Sequence, residues 1–345
     1  MQLFRTPGLA EKIAFLRQPE VYPDAPDRVT AIETHFAWVF LSRDFAYKLK
    51  KPVRLPGTDL RTAQARKANC ELELALNRRL AGGTYIGVVP LGRQQGELCL
   101  ELDSRPVDWL VKMRRLPEHA TLENQLPEIE PEDPRLAGLI ETLCDFYSRT
   151  VKAPWRGDEY AARLKRQTKR TARGFRQAEL KSQRARIRQI AENQCDYVIG
   201  SIDLLADRVR RGRVRDVHGD LRPEHIFLNE RPQIIDCLEF SSDLRQLDTA
   251  EEISFLSLEC ERLGRADVGA RLTELYREIL ADDVSDEMLN FYRSRRALVR
   301  AYVSAWHLAD HLNENARRKW LDQTIWYLDV AEDSVSRALA SHNTD

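Results

Sequence analysis

His218-Gly219-Asp220-Leu221-Arg222-Pro223-Glu224-His225, continued by Ile226-Phe227-Leu228, the polar turn Asn229-Glu230-Arg231-Pro232, then Gln233-Ile234-Ile235 and Asp236, decides how the rest of the chain reads. Two apolar stretches around a short polar turn predict a β-hairpin. The hairpin leaves Asp220 on the loop before its first strand and Asp236 at the end of its second. A carboxylate in the first place is suited to orient or deprotonate an incoming hydroxyl. One in the second is suited to hold a divalent cation against phosphate oxygens.

Residues 8–18 predict a short helix that ends before Pro19. Residues 36–41, the polar turn Ser42-Arg43-Asp44 and residues 45–50 predict another hairpin, whose second strand alternates apolar and basic residues until Pro52. A helix is expected over 59–80, with Ala68, Leu72, Leu76 and Leu80 on one stripe and Gly82-Gly83 stopping it. Further strands are expected at 84–91 and 97–102, and 107–113 is another apolar run. The Pro- and acid-rich stretch 117–134 reads as a loop with a short helix. From 135 onward helices dominate, interrupted by 217–240. Sheet first and helices afterwards is the order of an α+β fold.

The loop, the hairpin and the terminal Asp resemble the protein-kinase-like superfamily. Within it they resemble a poorly characterised bacterial branch of the aminoglycoside phosphotransferase-like family, whose catalytic loop reads His-Gly-Asp. The resemblance covers most of the chain, from about Ile32 onward. It implies a protein-kinase-like bilobal α+β fold with a small β-rich N-lobe and a larger, mainly helical C-lobe. The implied division is an N-terminal helical extension at 1–30, a nucleotide-binding N-lobe at 31–116, and a helical C-lobe at 117–345 with the catalytic hairpin at 217–240. The implied activity is ATP-dependent transfer of the γ-phosphoryl group to a hydroxyl of a small molecule, with Mg²⁺ or Mn²⁺. Two alternatives stay open: a catalytically degenerate nucleotide-binding or regulatory protein, and a kinase acting on a protein side chain.

Carried over residue by residue, Asp220 faces the acceptor hydroxyl and Asp236 binds metal. Arg222 stands two past Asp220, where protein kinases carry a phosphate-contacting Lys, and its guanidinium suits the transferring phosphoryl. His218 orients the loop. Kinases place a metal-binding Asn five past the catalytic Asp; here that residue is His225. It binds a softer metal such as Mn²⁺, hydrogen-bonds a metal-bound water, or marks reduced activity. Glu239 is a nearby acid. Phe45-Ala46-Tyr47-Lys48 matches the kinase strand whose Lys pairs with nucleotide phosphates, with Lys50 second by parity. Its helix partner is Glu73, with Glu71 as the alternative. No G-x-G-x-x-G precedes the strand, which leaves phosphate contact to backbone N–H groups and to Thr34 or Ser42. Val111-Lys112-Met113-Arg114 is expected to join the lobes, with its backbone on an adenine edge and Met113 packed on the ring or serving as ordinary core.

The 345 residues hold 43% hydrophobic and 31% charged residues, which is ordinary for a soluble globular protein. Lys+Arg and Asp+Glu balance at 54 each, so no net charge points to nucleic acid or membrane. No apolar run approaches the roughly 18 residues of a membrane span, and residues 1–16 lack a signal-peptide core. Six cysteines without a CxxC pair suit reduced thiols in a cytoplasmic protein. Residues 163–188 carry eleven Lys/Arg against the single acid Glu179, with Phe175 as their one aromatic. Stacking on bases is therefore poorly supported, and a solvated helix face is expected rather than a nucleic-acid partner. His307-Leu308-Ala309-Asp310-His311 offers two imidazoles one helical turn apart but no third zinc ligand. Asp282, Asp283 and Asp286 offer an acidic patch of the kind a cationic acceptor needs.

Overall fold

Side chains alternate across a strand, and in Phe45–Lys50 this sends Tyr47 and Leu49 to one face and Ala46, Lys48 and Lys50 to the other. The strand pairs antiparallel with Ala37–Leu41, Val39 lying opposite Lys48. The sheet continues on one side to Thr30–Glu33 and on the other to Asp108–Arg114, Tyr85–Gln94 and Glu97–Leu100. On the Tyr47 face, Phe40, Leu49, Leu91 and Leu110 bury against Leu16, the last residue of the N-terminal helix Leu9–Leu16, and against Tyr22 beyond it. On the opposite face, Ala46, Val111, Met113 and Tyr85 bury against Cys70 of the helix Ala63–Ala81.

This computed structural model describes residues 7–55, 58–102, 106–309 and 313–342. They divide into two units: Met1–Gln125 with Glu224–Leu244, and Leu126–Pro223 with Arg245–Asp345. The fold is α+β: the first unit carries the six-stranded sheet and the second is mainly helical. The hairpin is present, Ile226 opposite Ile234 and Phe227 opposite Gln233. It groups with the sheet unit, whereas the sequence reading put it in the helical lobe; Leu228 donates its N–H to Ala120 O at 2.8 Å, which ties it there.

Two expectations need correction. The helix starts at Ala63, capped by Thr62, whose hydroxyl accepts from Ala65 N at 3.1 Å; Thr58–Asp59 is a short strand paired with Arg54–Leu55. The buried face of Ala63–Ala81 keeps only half of the apolar stripe, Leu76 and Leu80, while Ala68 is exposed. Arg66, Asn69, Cys70, Glu73, Leu76, Asn77 and Leu80 turn inward, while Leu72 is exposed. A sheet face that presents two lysines needs buried counter-charges, and that need overrides hydrophobic periodicity. Val111–Met113 does not join the lobes either. It lies inside Asp108–Arg114, where Met113 stands opposite both Ala46 and Tyr85 in a buried cluster.

In the second unit the longest helices are Gly157–Gly174, Arg184–Gly200, Asp286–Trp306 and Glu314–His342. Phe255, Leu258, Leu298, Ala301, Tyr327 and Leu328 lie in its core. The basic segment runs from Gly157–Gly174 into the start of Arg184–Gly200, and its Phe175 is buried in that core. His307 stacks on Trp320 with centroids 3.6 Å apart, while Asp310 and His311 lie outside the described residues. No helix among the described residues is long and apolar enough to cross a membrane.

Candidate active site

The sheet unit brings together Lys48, Lys50, Glu73, Asp236 and Glu239. Lys48 Nζ lies 2.9 Å from Glu73 Oε1 and 2.5 Å from Asp236 Oδ1. Lys50 Nζ bonds the other oxygen of Glu73 and also Glu239. Glu73 is therefore shared by two ammonium groups, and Glu71, exposed on the helix surface near Lys67, is not their partner. Burial opposes the charge on Lys48, but Asp236 and Glu73 outweigh it and lift its pKa well above the lysine value. Burial likewise works against ionised Asp236 and Glu73, yet the lysines hold both below the ordinary carboxylate range. Glu239 goes the other way: its burial raises its pKa despite Lys50.

Lys50, the second choice by strand parity, is fully buried between its two carboxylates and stands there as a counter-charge within the core. Asp236 is different. Its side chain keeps 41% exposure, and its Oδ2 lies 3.7 Å from His225 Nε2. Its backbone is left-handed, φ 62°, a conformation costly for a residue with a Cβ and typical of functional positions. Two bonds fix it there: Asp236 N donates to the Tyr85 hydroxyl at 3.2 Å, and Cys237 N donates to Asn77 Oδ1 at 2.8 Å. Thr34 closes the turn before Ala37–Leu41, its hydroxyl exchanging bonds with Ala37 N and O at 3.0 Å each. Among the described residues, no group of three or more His, Cys, Asp or Glu is placed to hold a metal ion.

The helical unit presents the loop that carries His218, Asp220 and Arg222. Gly219 has φ 87°, so the turn calls for glycine. Glu252, on the helix Thr249–Arg262, accepts from Gly219 N at 2.6 Å, from His218 N at 3.3 Å and from the Tyr147 hydroxyl at 2.8 Å. Arg296 donates to Gly219 O at 3.2 Å. His218 is buried, and its Nδ1 accepts from Asp220 N at 3.3 Å, which turns the loop back on itself. Asp220 remains partly exposed, with Arg222 Nε 3.2 Å from its Oδ2. Burial raises the Glu252 pKa, and the N–H bonds that it accepts resist that rise.

Sequence reasoning missed Glu252, Arg296, Tyr85 and Asn77. Glu251-Glu252 did carry a signal: two adjacent acids followed by Ile253, Phe255, Leu256 and Leu258 in one helix are costly to bury unless paired. Tyr85 and Asn77 bond only backbone groups, so nothing in their identity announced the site.

No family model matches the chain. It is 34% identical over 275 residues, 79% of its length, to uncharacterised proteins of Mycobacterium tuberculosis (strain ATCC 25618 / H37Rv) and Mycobacterium bovis (strain ATCC BAA-935 / AF2122/97). The chain spans about half the length, 53%, of these curated relatives. Among solved structures it is similar to a choline/ethanolamine kinase family protein from Mesorhizobium loti, with TM-score 0.54 at 15% identity over 97% of this chain and 99% of that one. It is similar to the AMP-bound complex of spectinomycin phosphotransferase, with TM-score 0.52 at 12% identity over 96% and 98%. A glucosamine kinase in complex with glucosamine, ADP and inorganic phosphate gives TM-score 0.50 at 15% identity over 94% and 83%. The fold is that of the aminoglycoside phosphotransferase-like, protein-kinase-like group. It is a fold used by phosphotransferases of small molecules.

Proposed function

We propose that the chain is an ATP-dependent phosphotransferase that moves the γ-phosphoryl group to a hydroxyl of a small molecule. The observation that carries this reading is the Lys48 ammonium held between Glu73 and Asp236. A strand lysine braced by a helix glutamate is aimed rather than mobile, and it stays charged at any working pH. In phosphoryl transfer most of the catalysis is positioning and charge neutralisation. Lys48 takes the nucleotide phosphates and Asp236 the metal. Mg²⁺ is usually held by one or two carboxylates together with substrate phosphates. The part-exposed Asp236 carboxylate, with His225 beside it, fits that mode. The bound metal supplies charge neutralisation on the phosphates.

Asp220 accepts the acceptor hydroxyl proton. The acceptor oxygen forms its bond to the γ-phosphorus, the bond to the β-phosphate oxygen breaks, and ADP leaves with that electron pair. Arg222 neutralises the equatorial oxygens of the transferring group. Glu252 and Arg296 hold the loop that aims Asp220. Two of the similar structures contain AMP, or ADP with glucosamine, and are named as a spectinomycin phosphotransferase and a glucosamine kinase; both facts support the reading. The test is transfer from ATP to a panel of hydroxyl compounds, followed by ³¹P NMR. Asp220→Ala is expected to lower transfer by about 10²- to 10⁴-fold with ADP affinity kept. Transfer that survives this change would overturn the assignment, and ADP binding without transfer to any compound would favour a regulatory nucleotide sensor.

A further inference from the structure

We infer that the acceptor carries an anionic group, a carboxylate or a phosphate, beside its reactive hydroxyl. The inference rests on Asp220 as the acceptor-side group and names the substrate class of that same site.

The helix Asp286–Trp306 meets the catalytic loop through Arg296, 3.2 Å from Gly219 O. Arg300 stands one helical turn beyond Arg296 on the same face. Burial opposes its charge, and Glu259, Tyr327 and Asp220 restore it, so Arg300 shares an electrostatic environment with Asp220. Its Nε lies 3.3 Å from Glu259 Oε1 and 3.4 Å from the Tyr327 hydroxyl. Its two terminal nitrogens donate no hydrogen bond among the described residues. A guanidinium offers five N–H donors in a planar fork that matches carboxylate and phosphate oxygens. With Arg222 given to the transferring phosphoryl, Arg300 is the cation left for the acceptor.

The acids near the loop are already committed. Glu259 is fully buried and held by Arg262 at 2.9 Å, by Arg300 and by the Tyr327 hydroxyl at 2.5 Å. Glu252 holds the loop backbone. Glu251 is buried with Arg295 and Arg296 at 3.7 Å each. The patch expected to suit a cationic acceptor is also committed. Asp282 binds Arg208 and the Tyr276 hydroxyl, Asp283 lies 2.6 Å from Arg211, and Asp286 lies 2.5 Å from Arg277. An amino sugar or amino alcohol would meet guanidinium groups here and no uncommitted carboxylate among these. An anionic acceptor would complete the fork of Arg300.

The test is binding by saturation-transfer NMR with ADP saturating, so that phosphate probes do not occupy the nucleotide site. The probes are D-glycerate, D-glucose 6-phosphate, D-glucosamine and choline. At least one anionic probe is expected to bind and the two cations are not; which anion binds tells carboxylate from phosphate. Arg300→Leu is expected to weaken the anion by roughly tenfold to a hundredfold, and Arg300→Lys to restore part of it. The double change Arg300→Leu with Glu259→Gln removes both charges of the Arg300–Glu259 pair and should show the same loss in a folded protein. Preference for choline or glucosamine, failure of both anions, or anion affinity unmoved by Arg300→Leu would overturn the inference. A parallel ADP titration with Lys48→Met reads the phosphotransferase proposal separately: ADP bound through Lys48 alongside cation preference sinks the inference alone.

Discussion

In the sheet unit Lys48, Lys50, Glu73, Asp236 and Glu239 hold one another by charge, whereas in the helical unit the loop around Asp220 is held through its backbone. Glu73 serves two ammonium groups at once. Glu252 instead accepts two consecutive main-chain N–H groups, and Arg296 donates to the main-chain carbonyl that follows them, Gly219 O. The contrast fits the two tasks proposed for these regions. A group that must meet a polyanion has to be a fixed charge, so its neighbours neutralise and aim it. A group that must take a proton should be placed without its carboxylate being the anchor, and backbone bonds achieve that.

The largest effect that would break this contrast is Glu73→Ala. It takes from each of two buried ammonium groups one of its two carboxylates, and losing one partner of a buried ion pair costs about 3–5 kcal/mol. Urea unfolding should show that loss; a change under about 1 kcal/mol would mean that the lysines are solvated and the network is not a unit. Glu252→Ala comes next, at about 2–3 kcal/mol for N–H groups left without their acceptor. It should lower transfer while ADP affinity holds, and a parallel fall in ADP affinity would erase the distinction between the two regions.

Protonation separates the regions by sign. The Glu73 pKa is lowered in the fold, so its contribution is complete above the ordinary carboxylate range and is lost as pH falls through the folded value. The Glu252 pKa is raised, so its contribution is complete below that range and is lost as pH rises toward the folded value. Stability measured against pH should lose part of its acid-side slope in Glu73→Gln and part of its decline above the carboxylate range in Glu252→Gln. The same sign in both variants would refute the contrast. The smallest expected effect is Asn77→Ala, about 1–2 kcal/mol for the orphaned Cys237 N–H. Its sharper signature is an altered environment at Asp236, read as weakened metal-dependent ADP binding.

The sequence made legible those parts of the candidate site that depend on side-chain identity at fixed spacing. Asp220 and Asp236 flank a hairpin whose apolar strands are plain, and Lys48 and Glu73 follow from strand parity and helix position. It misled where charge replaced hydrophobicity. The helix Ala63–Ala81 buries Arg66, Asn69, Glu73 and Asn77, and an apolar stripe through Leu72 could not reveal that. Lys50 shares parity with Lys48, and only the third dimension shows that Glu239 closes over it. Val111–Met113 looks like any apolar connector until its pairing on both sides is seen. Residues that bond backbone groups, such as Tyr85 and Glu252, leave a trace in sequence only when burial makes them expensive.

The most direct measurement is a calorimetric titration of ADP with Mg²⁺ into the unaltered chain, Lys48→Met and Asp220→Asn. Binding should be clear in the first, weakened at least about tenfold in the second, and unchanged within a factor of about two in the third. No binding to the unaltered chain, or an equal loss in both variants, would contradict the assignment of nucleotide to Lys48 and acceptor to Asp220.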